Sequence, residues 1–110
     1  MKDCIFCNLE VSRIEDENKL FQVIRDLYPV TEGHTLIIPR RHVPSFFELT
    51  EEEHTSFLEM LHAQKEKLGT MDQTISGFNV GINDGADAGQ TVMHCHIHLI
   101  PRRKGDMENP

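Results

Sequence analysis

The sequence predicts an α+β fold in which an antiparallel sheet is covered by a helix. The order of the segments along the chain supports this prediction. Short apolar or alternating segments, which are typical of strands, lie on both sides of one long segment with helical periodicity. Strands grouped apart from a helix in this way are typical of α+β domains. At 110 residues, the chain is predicted to be a single domain, residues 1–110, with a modest core of its own.

Three segments before the end of the chain have the pattern of strands. Residues 20–26 and 34–39 are rich in aliphatic and β-branched residues, and a proline ends the second of them. Residues 77–83 alternate apolar with small or polar side chains, as a half-buried strand does.

The predicted helix starts at a capping box in residues 50–53. The Thr50 hydroxyl can accept the backbone N–H of Glu53, and the Glu53 carboxylate can reach back to Thr50. We expect the helix to run to about Leu68 and to end at Gly69. Apolar residues at helical spacing give it a face that packs on the sheet: Phe57, Leu58, Leu61 and Leu68.

Residues 93–101 contain a histidine row, which consists of His94, His96 and His98. Strict alternation predicts a strand with the three imidazoles on one face and Cys95, Ile97 and Leu99 on the other. Each imidazole has a polar edge that needs a partner, so the row predicts a functional site. The alternative is a solvated histidine face on an edge strand.

Composition restricts the possible functions. The net charge of −7 argues against binding nucleic acid by bulk electrostatics. The sequence has no apolar run that could span a bilayer and no secretory leader, so we expect no membrane partner and a cytoplasmic location. An odd number of cysteines argues against a disulfide framework.

The Cys4-x-x-Cys7 pair allows several interpretations. It can hold a metal ion or form a redox disulfide, and the absence of a following helix pattern disfavours redox use. A tetrahedral zinc site needs two further ligands, which histidines later in the chain can supply. Alternatively, the two thiols are simply buried as small apolar groups.

The loop 84–92 precedes the histidine row and contains Gly85 and Gly89. Glycine lets the backbone approach a ligand closely, and loop N–H groups can bind phosphate oxygens. The loop is therefore a candidate phosphate-binding segment, and a plain hairpin connection is the alternative.

The histidine row, with the preceding residues 83–92 and the segment 33–42, resembles the histidine triad family, and most of the chain takes part in this resemblance. The resemblance implies a HIT-like fold with a five-stranded antiparallel sheet, one long helix and one short helix. It also implies a homodimer that joins two sheets side by side. The sequence stops at Asn109-Pro110, where similar proteins usually continue, so we expect that a C-terminal tail is missing.

In the resembling enzymes the middle histidine is a nucleophile that forms a covalent nucleotidyl-histidine, which implies this role for His96. A neutral imidazole can attack phosphorus directly, and water can cleave the resulting phosphoramidate. The resemblance also implies residues around the substrate. His98 and His34 would contact phosphate oxygens, Gln90 and Thr91 the phosphate or the leaving group, and Asp26, Asn83 and Gly89 the nucleotide.

Relatives with an amino-terminal Cys-x-x-Cys hold zinc with this pair and two histidines. The resemblance therefore implies a structural Zn²⁺ bound by Cys4, Cys7, His42 and His94. Two thiolates and two imidazoles complete a tetrahedron, so no position remains for a reacting water.

The predicted function is that of a nucleotide hydrolase or transferase that cleaves at the α-phosphate and releases a nucleoside monophosphate. Dinucleoside polyphosphates are the preferred substrates, because Gln90 matches the branch that cleaves them, and phosphoramidates come next. One alternative is a metal-dependent hydrolase that uses the histidine row as ligands. The other is a nucleotide-binding module without catalytic activity.

Overall fold

The structure is a computed structural model in which residues 2–107 are described. It confirms the α+β prediction: five antiparallel strands form one sheet in the order β1-β2-β3-β5-β4, and one long helix, α1, packs against it. The shorter helical elements in residues 2–107 are single 3-10 turns at Val11–Arg13, Phe46–Glu48 and Ala86–Ala88. The main elements are β1 (Ile14–Glu17), β2 (Phe21–Arg25), β3 (Thr35–Pro39), α1 (Glu51–Met71), β4 (Ile75–Gly81) and β5 (Ile97–Arg103).

The central strand β3 is buried along its whole length, because it lies between β2 and β5 and both of its faces are covered. On one face, Ile37 belongs to a core with residues of α1 such as Phe57 and Met60. On the other face, Leu36 and Ile38 pack with Phe6 from the amino-terminal segment. Each such buried side chain contributes roughly 1.5–3 kcal/mol to folding. The amino-terminal segment is thus a cover for the sheet face opposite α1.

Helix α1 begins where the sequence predicts and ends later. The Thr50 hydroxyl accepts the Glu53 N–H at 3.1 Å, and the Glu53 carboxylate accepts the Thr50 N–H at 2.9 Å, which confirms the capping box. The predicted end at Gly69 is wrong. Gly69 does not adopt the left-handed conformation of a helix-ending glycine, and the helix continues to Met71. Asp72 follows the last turn and donates its N–H to the Leu68 carbonyl at 3.0 Å.

The core-facing side of α1 also differs in part from the prediction. Phe57 and Leu68 are buried, but Leu58 is 50% exposed, and Met60 takes a buried position instead. Phe57, Met60 and Leu68 lie on one stripe at steps of three and eight residues, whereas Leu58 lies about 100° away from Phe57 around the helix axis.

A glycine inside a helix lowers stability, so replacing Gly69 should stabilise the protein. A Cβ at Gly69 would meet no atom within 4 Å, and the backbone there is helical. We expect Gly69→Ala to raise the free energy of unfolding by about 1 kcal/mol in urea titrations, because alanine reduces the freedom of the unfolded chain. Gly33→Ala is the matched control, since Gly33 has a φ of 91° and its Cβ would lie 3.2 Å from Pro101. It should lower stability, and a destabilised Gly69→Ala would contradict the prediction.

The last two strands set the geometry of the histidine row. β5 starts at Ile97, and His98 lies opposite Gly81 of β4 and Leu36 of β3. The prediction of one strand through all three histidines is therefore wrong in its extent, because only His98 lies in β5, and His94 and His96 precede it. The backbone before Ile97 is not paired as a strand, and Cys95 donates its N–H to the Val43 carbonyl at 2.7 Å. The rings of His94 and His96 nevertheless both contact Phe6, which packs on the sheet face opposite α1. The apolar side of the pattern is confirmed, because Cys95, Ile97 and Leu99 are all buried.

Strand β4 covers residues 75–81 rather than 77–83, because its register pairs Ile75 with Arg103 and ends where Gly81 meets His98. In residues 2–107, none of the helices has the length and hydropathy needed to cross a membrane.

Candidate active site

A cavity of about 320 Å³ opens on the sheet face opposite α1, and we call it the first cavity. Its floor contains Ile24 and Leu36, whose side chains alternate with the core-facing residues of β2 and β3. His96 and His98 lie at one side, with ring centroids 5.3 Å apart. The first cavity therefore brings two members of the histidine row together over an apolar floor.

The tautomer of the neutral His96 ring follows from a single contact. Its Nδ1 lies 2.8 Å from the backbone carbonyl oxygen of His94. A carbonyl only accepts, so Nδ1 carries the hydrogen and donates it, and Nε2 of the neutral ring holds an unprotonated lone pair. The ring is 8% exposed and packs edge-on against Phe6, with centroids 5.0 Å apart. The ring is thus held in one orientation at the cavity wall with a nucleophilic nitrogen.

His34 and His98 form a hydrogen-bonded chain that starts at the backbone. Val30 donates its N–H to His34 Nδ1 at 3.0 Å, so the neutral His34 ring carries its hydrogen on Nε2. His34 Nε2 then donates to His98 Nδ1 at 2.8 Å. His98 consequently keeps its hydrogen on Nε2. The buried His34 ring and the half-buried His98 ring are thus each fixed in one neutral tautomer. The N–H at Nε2 of His98 remains able to donate to a phosphate oxygen.

Burial keeps these two histidines neutral. Desolvation lowers the pKa of His34, and the nearby Asp26 carboxylate opposes this shift. Desolvation also lowers the pKa of His98, as do the neighbouring rings of His96 and His34, while Asp26 again acts in the opposite direction. Both imidazoles therefore remain uncharged at neutral pH.

This arrangement predicts a stability that falls in mild acid. The unfolded state gains its His34 proton near the ordinary pKa of 6.5, whereas the folded state takes it up only at lower pH. The stability is fully present above about pH 6.5 and is lost as the pH falls towards the folded pKa, with a slope of at most about 1.4 kcal/mol per pH unit for one proton. We expect His34→Asn, whose carbonyl can still accept from Val30, to reduce this slope in urea unfolding between pH 7.5 and 5. Parallel wild-type and variant profiles would contradict the assignment.

Four other predicted residues line the first cavity: Asp26, Asn83, Gly89 and Thr91. Asp26 is half-buried at the end of β2, where Oδ1 accepts the Tyr28 N–H at 2.9 Å and Oδ2 lies 3.5 Å from His34 Nε2. Gly89 has a φ of 91°, a conformation that glycine adopts at little cost, and this brings loop backbone to the cavity.

Gln90 lies in a different position from the one its predicted role suggests. Its side chain is 6% exposed and is not among the groups that line the first cavity. Its Oε1 accepts the Gly85 N–H at 2.7 Å, and its Nε2 donates to the carbonyls of Pro44 and Val92 at 2.8 and 3.1 Å. The Gln90 amide therefore holds the glycine loop together, and a direct contact with phosphate or a leaving group stays a prediction.

The structure gathers Cys4, Cys7, His42 and His94 into a cluster that can hold a metal ion. Their candidate ligand atoms all lie within 4.8 Å of one another. His94 Nδ1 is 3.3 Å from the Cys4 sulfur and 3.4 Å from the Cys7 sulfur, and His42 Nδ1 is 3.2 Å from the Cys7 sulfur. His94 Nε2 donates to the Pro39 carbonyl at 2.7 Å, which leaves Nδ1 as the lone-pair nitrogen on the side of the sulfurs. The donor set and the tautomer therefore fit a zinc ion.

Asp26, His34 and His98 also lie close enough to hold a metal. Here the tautomers do not fit, because His34 Nε2 carries a hydrogen that it donates to His98. The alternative in which His94, His96 and His98 share one ion does not fit either. The lone pair of His94 faces the cysteines, whereas His96 and His98 face the first cavity.

Sequence reasoning missed the apolar wall of the first cavity. Ile5 and Phe6 line it from the amino-terminal segment, and Leu27 and Tyr28 line it from the loop after β2. Ile5 and Phe6 lie between the two cysteines. If the two cysteines bind a metal ion, the two residues between them are held in place. The Cys-x-x-Cys spacing was therefore the signal in the sequence that this segment could form part of a binding site. Arg13 also lines the cavity, and no sequence pattern pointed to it.

Comparison with known proteins agrees with this geometry. The chain is 39% identical over 95 residues to the asymmetrical bis(5'-nucleosyl)-tetraphosphatase of Schizosaccharomyces pombe, and the alignment covers 86% of this chain and 52% of that protein. The chain thus spans about half the length of this relative. A HIT family protein from Bacillus anthracis superimposes with a TM-score of 0.87 at 33% identity, over 94% of this chain and 76% of that one.

A zinc-bound histidine triad family protein from Mycobacterium smegmatis superimposes with a TM-score of 0.75 at 33% identity, over 96% of this chain and 78% of that one. Residues 12–105, most of the chain, match the family described as the HIT domain. The resemblance seen in the histidine row is thereby confirmed, and the chain belongs to the HIT domain family.

Proposed function

We propose that this protein is a nucleotide hydrolase or transferase that cleaves at an α-phosphate through a covalent bond to His96. The observation that carries the proposal is the tautomer of His96. The His94 carbonyl holds the hydrogen on Nδ1, so the unprotonated Nε2 lies at the wall of the first cavity. The enzyme name of the Schizosaccharomyces pombe relative supports a dinucleoside polyphosphate as substrate.

In the first step, the Nε2 lone pair of His96 attacks the α-phosphorus. The bond from that phosphorus to the bridging oxygen breaks, and the leaving group departs with the oxygen and its electron pair. His96 keeps the hydrogen on Nδ1, so the nucleotidyl-histidine is cationic and the His94 carbonyl stabilises it. In the second step, water attacks phosphorus, the P–N bond breaks, and a nucleoside monophosphate leaves together with one proton.

The neighbouring groups suit the charges of this reaction. His98 carries its remaining hydrogen on Nε2 and would donate it to a phosphate oxygen, and the His34 ring fixes that tautomer. Asp26 lines the first cavity and would accept hydrogen bonds from the ribose hydroxyls. The loop amides near Gly89 and the hydroxyl of Thr91 would hydrogen-bond phosphate oxygens.

We also propose a structural zinc ion at Cys4, Cys7, His42 and His94. When bound, the ion would cross-link the amino-terminal segment to the segment that carries the histidine row. Because four protein ligands fill its coordination sphere, it would have no position for substrate or water and would take no part in the reaction.

The proposal also includes a homodimer. β4 is an edge strand of the sheet and presents Val80, which is 53% exposed.

A substrate panel tests the proposal. The protein is incubated with diadenosine tetraphosphate, diadenosine triphosphate and adenosine 5'-phosphoramidate, and AMP release is followed by chromatography. Intact-mass spectrometry of a reaction quenched in base then checks for a chain that carries one added adenylyl group. We expect AMP from at least one compound and an adduct on His96. Nucleotide binding without turnover would favour the non-catalytic module instead.

A further inference from the structure

Arg13 is the one lysine or arginine of residues 2–107 that lines the first cavity, and it takes no part in the reaction described above. It is half-buried, and its Nη2 donates to the carbonyl oxygen of Arg25 at 3.3 Å. Within the described part of the chain it forms no ion pair, although acidic residues outnumber lysines and arginines by 18 to 11. Four other arginines are each paired with a carboxylate: Arg40, Arg41, Arg102 and Arg103.

These contacts leave most of the N–H donors of Arg13 without a protein partner in residues 2–107. A guanidinium has donors and no acceptor, and a donor that loses contact with water needs a partner. A ligand that covers Arg13 must therefore bring hydrogen-bond acceptors.

Arg13 lies at the end of the first cavity that is remote from the histidine row. A separate cavity of about 460 Å³, which we call the amino-terminal cavity, is lined by residues of segment 2–10 together with Arg13 and Leu27. Ile5, Arg13 and Leu27 line both cavities, so they form the wall between them. No histidine of residues 2–107 lines the amino-terminal cavity. The wall that contains Arg13 is thus separate from the side where the phosphate would bind.

The lining of the first cavity is otherwise mostly apolar, and Phe6 and Ile24 are among the side chains on which a flat base can pack. In the proposed reaction the α-phosphorus lies at His96 and the ribose at Asp26, so the base extends over this apolar surface towards Arg13. In a purine, C6 lies at the end of the base away from the ribose. The group on C6 therefore comes closest to the guanidinium.

We propose that Arg13 selects the base of the nucleotide and favours a purine with a carbonyl on C6, such as guanine or hypoxanthine, over adenine. This inference rests on the proposed function and specifies its substrate class. O6 and N7 of guanine both accept hydrogen bonds, and one arginine can donate to both of them. Adenine also accepts at N7, but the amino group on its C6 is a donor and would face the guanidinium.

The test measures the affinities of GMP, IMP and AMP by calorimetry, so it does not depend on turnover. Wild-type protein should bind GMP and IMP about tenfold more tightly than AMP. IMP is included because it has the C6 carbonyl of GMP and lacks its 2-amino group. It therefore separates recognition by a donor such as Arg13 from recognition by a carboxylate that accepts from the amino group.

Two variants of Arg13 assign the preference to this residue. Arg13→Met keeps the apolar stem and removes the donors, so GMP and AMP should bind equally. Arg13→Gln gives an independent measurement if methionine interferes with folding. Its amide can donate to N7 and accept from the amino group of adenine, so the ratio of affinities should shift towards AMP. Lys67→Met is the matched control, because it removes one positive charge at an exposed position of α1 outside both cavities and should keep the wild-type ratio.

The outcomes separate the two proposals. A wild-type protein that binds none of the three nucleotides would overturn the proposed function and this inference with it. A wild-type protein that binds them but prefers AMP, or binds IMP as weakly as AMP, would overturn the Arg13 inference alone. A preference for GMP that persists in both Arg13 variants would do the same.

Discussion

Replacement of His96 by alanine is expected to lower kcat/KM for AMP release by a factor on the order of 10⁴, because it removes the atom that bonds to phosphorus. Nε2 of His96 is the one lone-pair nitrogen of the histidine row that faces the first cavity, since His94 faces the cysteines and His98 Nδ1 accepts from His34. The remaining rate would come from substrate orientation and from the donors around the phosphate. The measurement is initial AMP release from the best substrate of the panel.

Two further variants make this result interpretable. His96→Asn can keep a donor to the His94 carbonyl but has no nucleophilic nitrogen, so it should fold and be as inactive as the alanine variant. His62→Ala removes an exposed histidine on α1 and should behave like the wild type. Equal AMP release from the wild type and both His96 variants would refute the mechanism.

Removal of the proposed zinc ion is expected to have the second large effect, because it should lower both the stability of the fold and the affinity for nucleotide. A ligand that binds only the folded state stabilises it by about 4 kcal/mol when its free concentration is 1,000 times the Kd. Chelation should therefore lower the unfolding midpoint by roughly 15 °C or more. Nucleotide affinity should fall about tenfold, because Ile5 and Phe6 lie between the two cysteines and form part of the first-cavity wall.

The metal prediction has its own control. The double variant Cys4→Ser/Cys7→Ser should contain no zinc by elemental analysis, melt at the temperature of the chelated wild type, and show no further shift with chelator. AMP binding, measured by calorimetry on wild type with and without zinc, reports on the cavity wall independently of catalysis. A chelated protein that melts and binds AMP like the untreated one would show that this cluster carries no structural ion.

Much of the fold follows from local patterns in the sequence. The alternation around Cys95, Ile97 and Leu99 predicts which side chains are buried, and the capping box at Thr50 predicts where α1 begins. These features depend on neighbours within a few residues, which is why periodicity finds them. The end of α1 was missed, because a glycine at position 69 permits a helix end but does not require one.

The candidate site was predictable as a set of residues but less so as a geometry. The histidine row and the Cys-x-x-Cys pair identified two chemical centres, and the structure brings the four expected metal ligands together. The position of Gln90 was not predictable, because its amide bonds to backbone groups from three places in the chain. The cavity wall from Ile5 and Phe6 was missed for a similar reason, since it forms only when the amino-terminal segment covers the sheet.

The sequence by itself determined the family, the strand and helix content, and which residues have the chemistry for nucleophilic attack and for metal binding. Only the tertiary structure decided the tautomer of each histidine and the groups that surround it. The His94 carbonyl selects the tautomer of His96, the Val30 N–H selects that of His34, and the amino-terminal segment supplies the Ile5 and Phe6 side of the first cavity. A tautomer and a cavity depend on which distant groups meet in space, and local sequence patterns carry no information about those contacts.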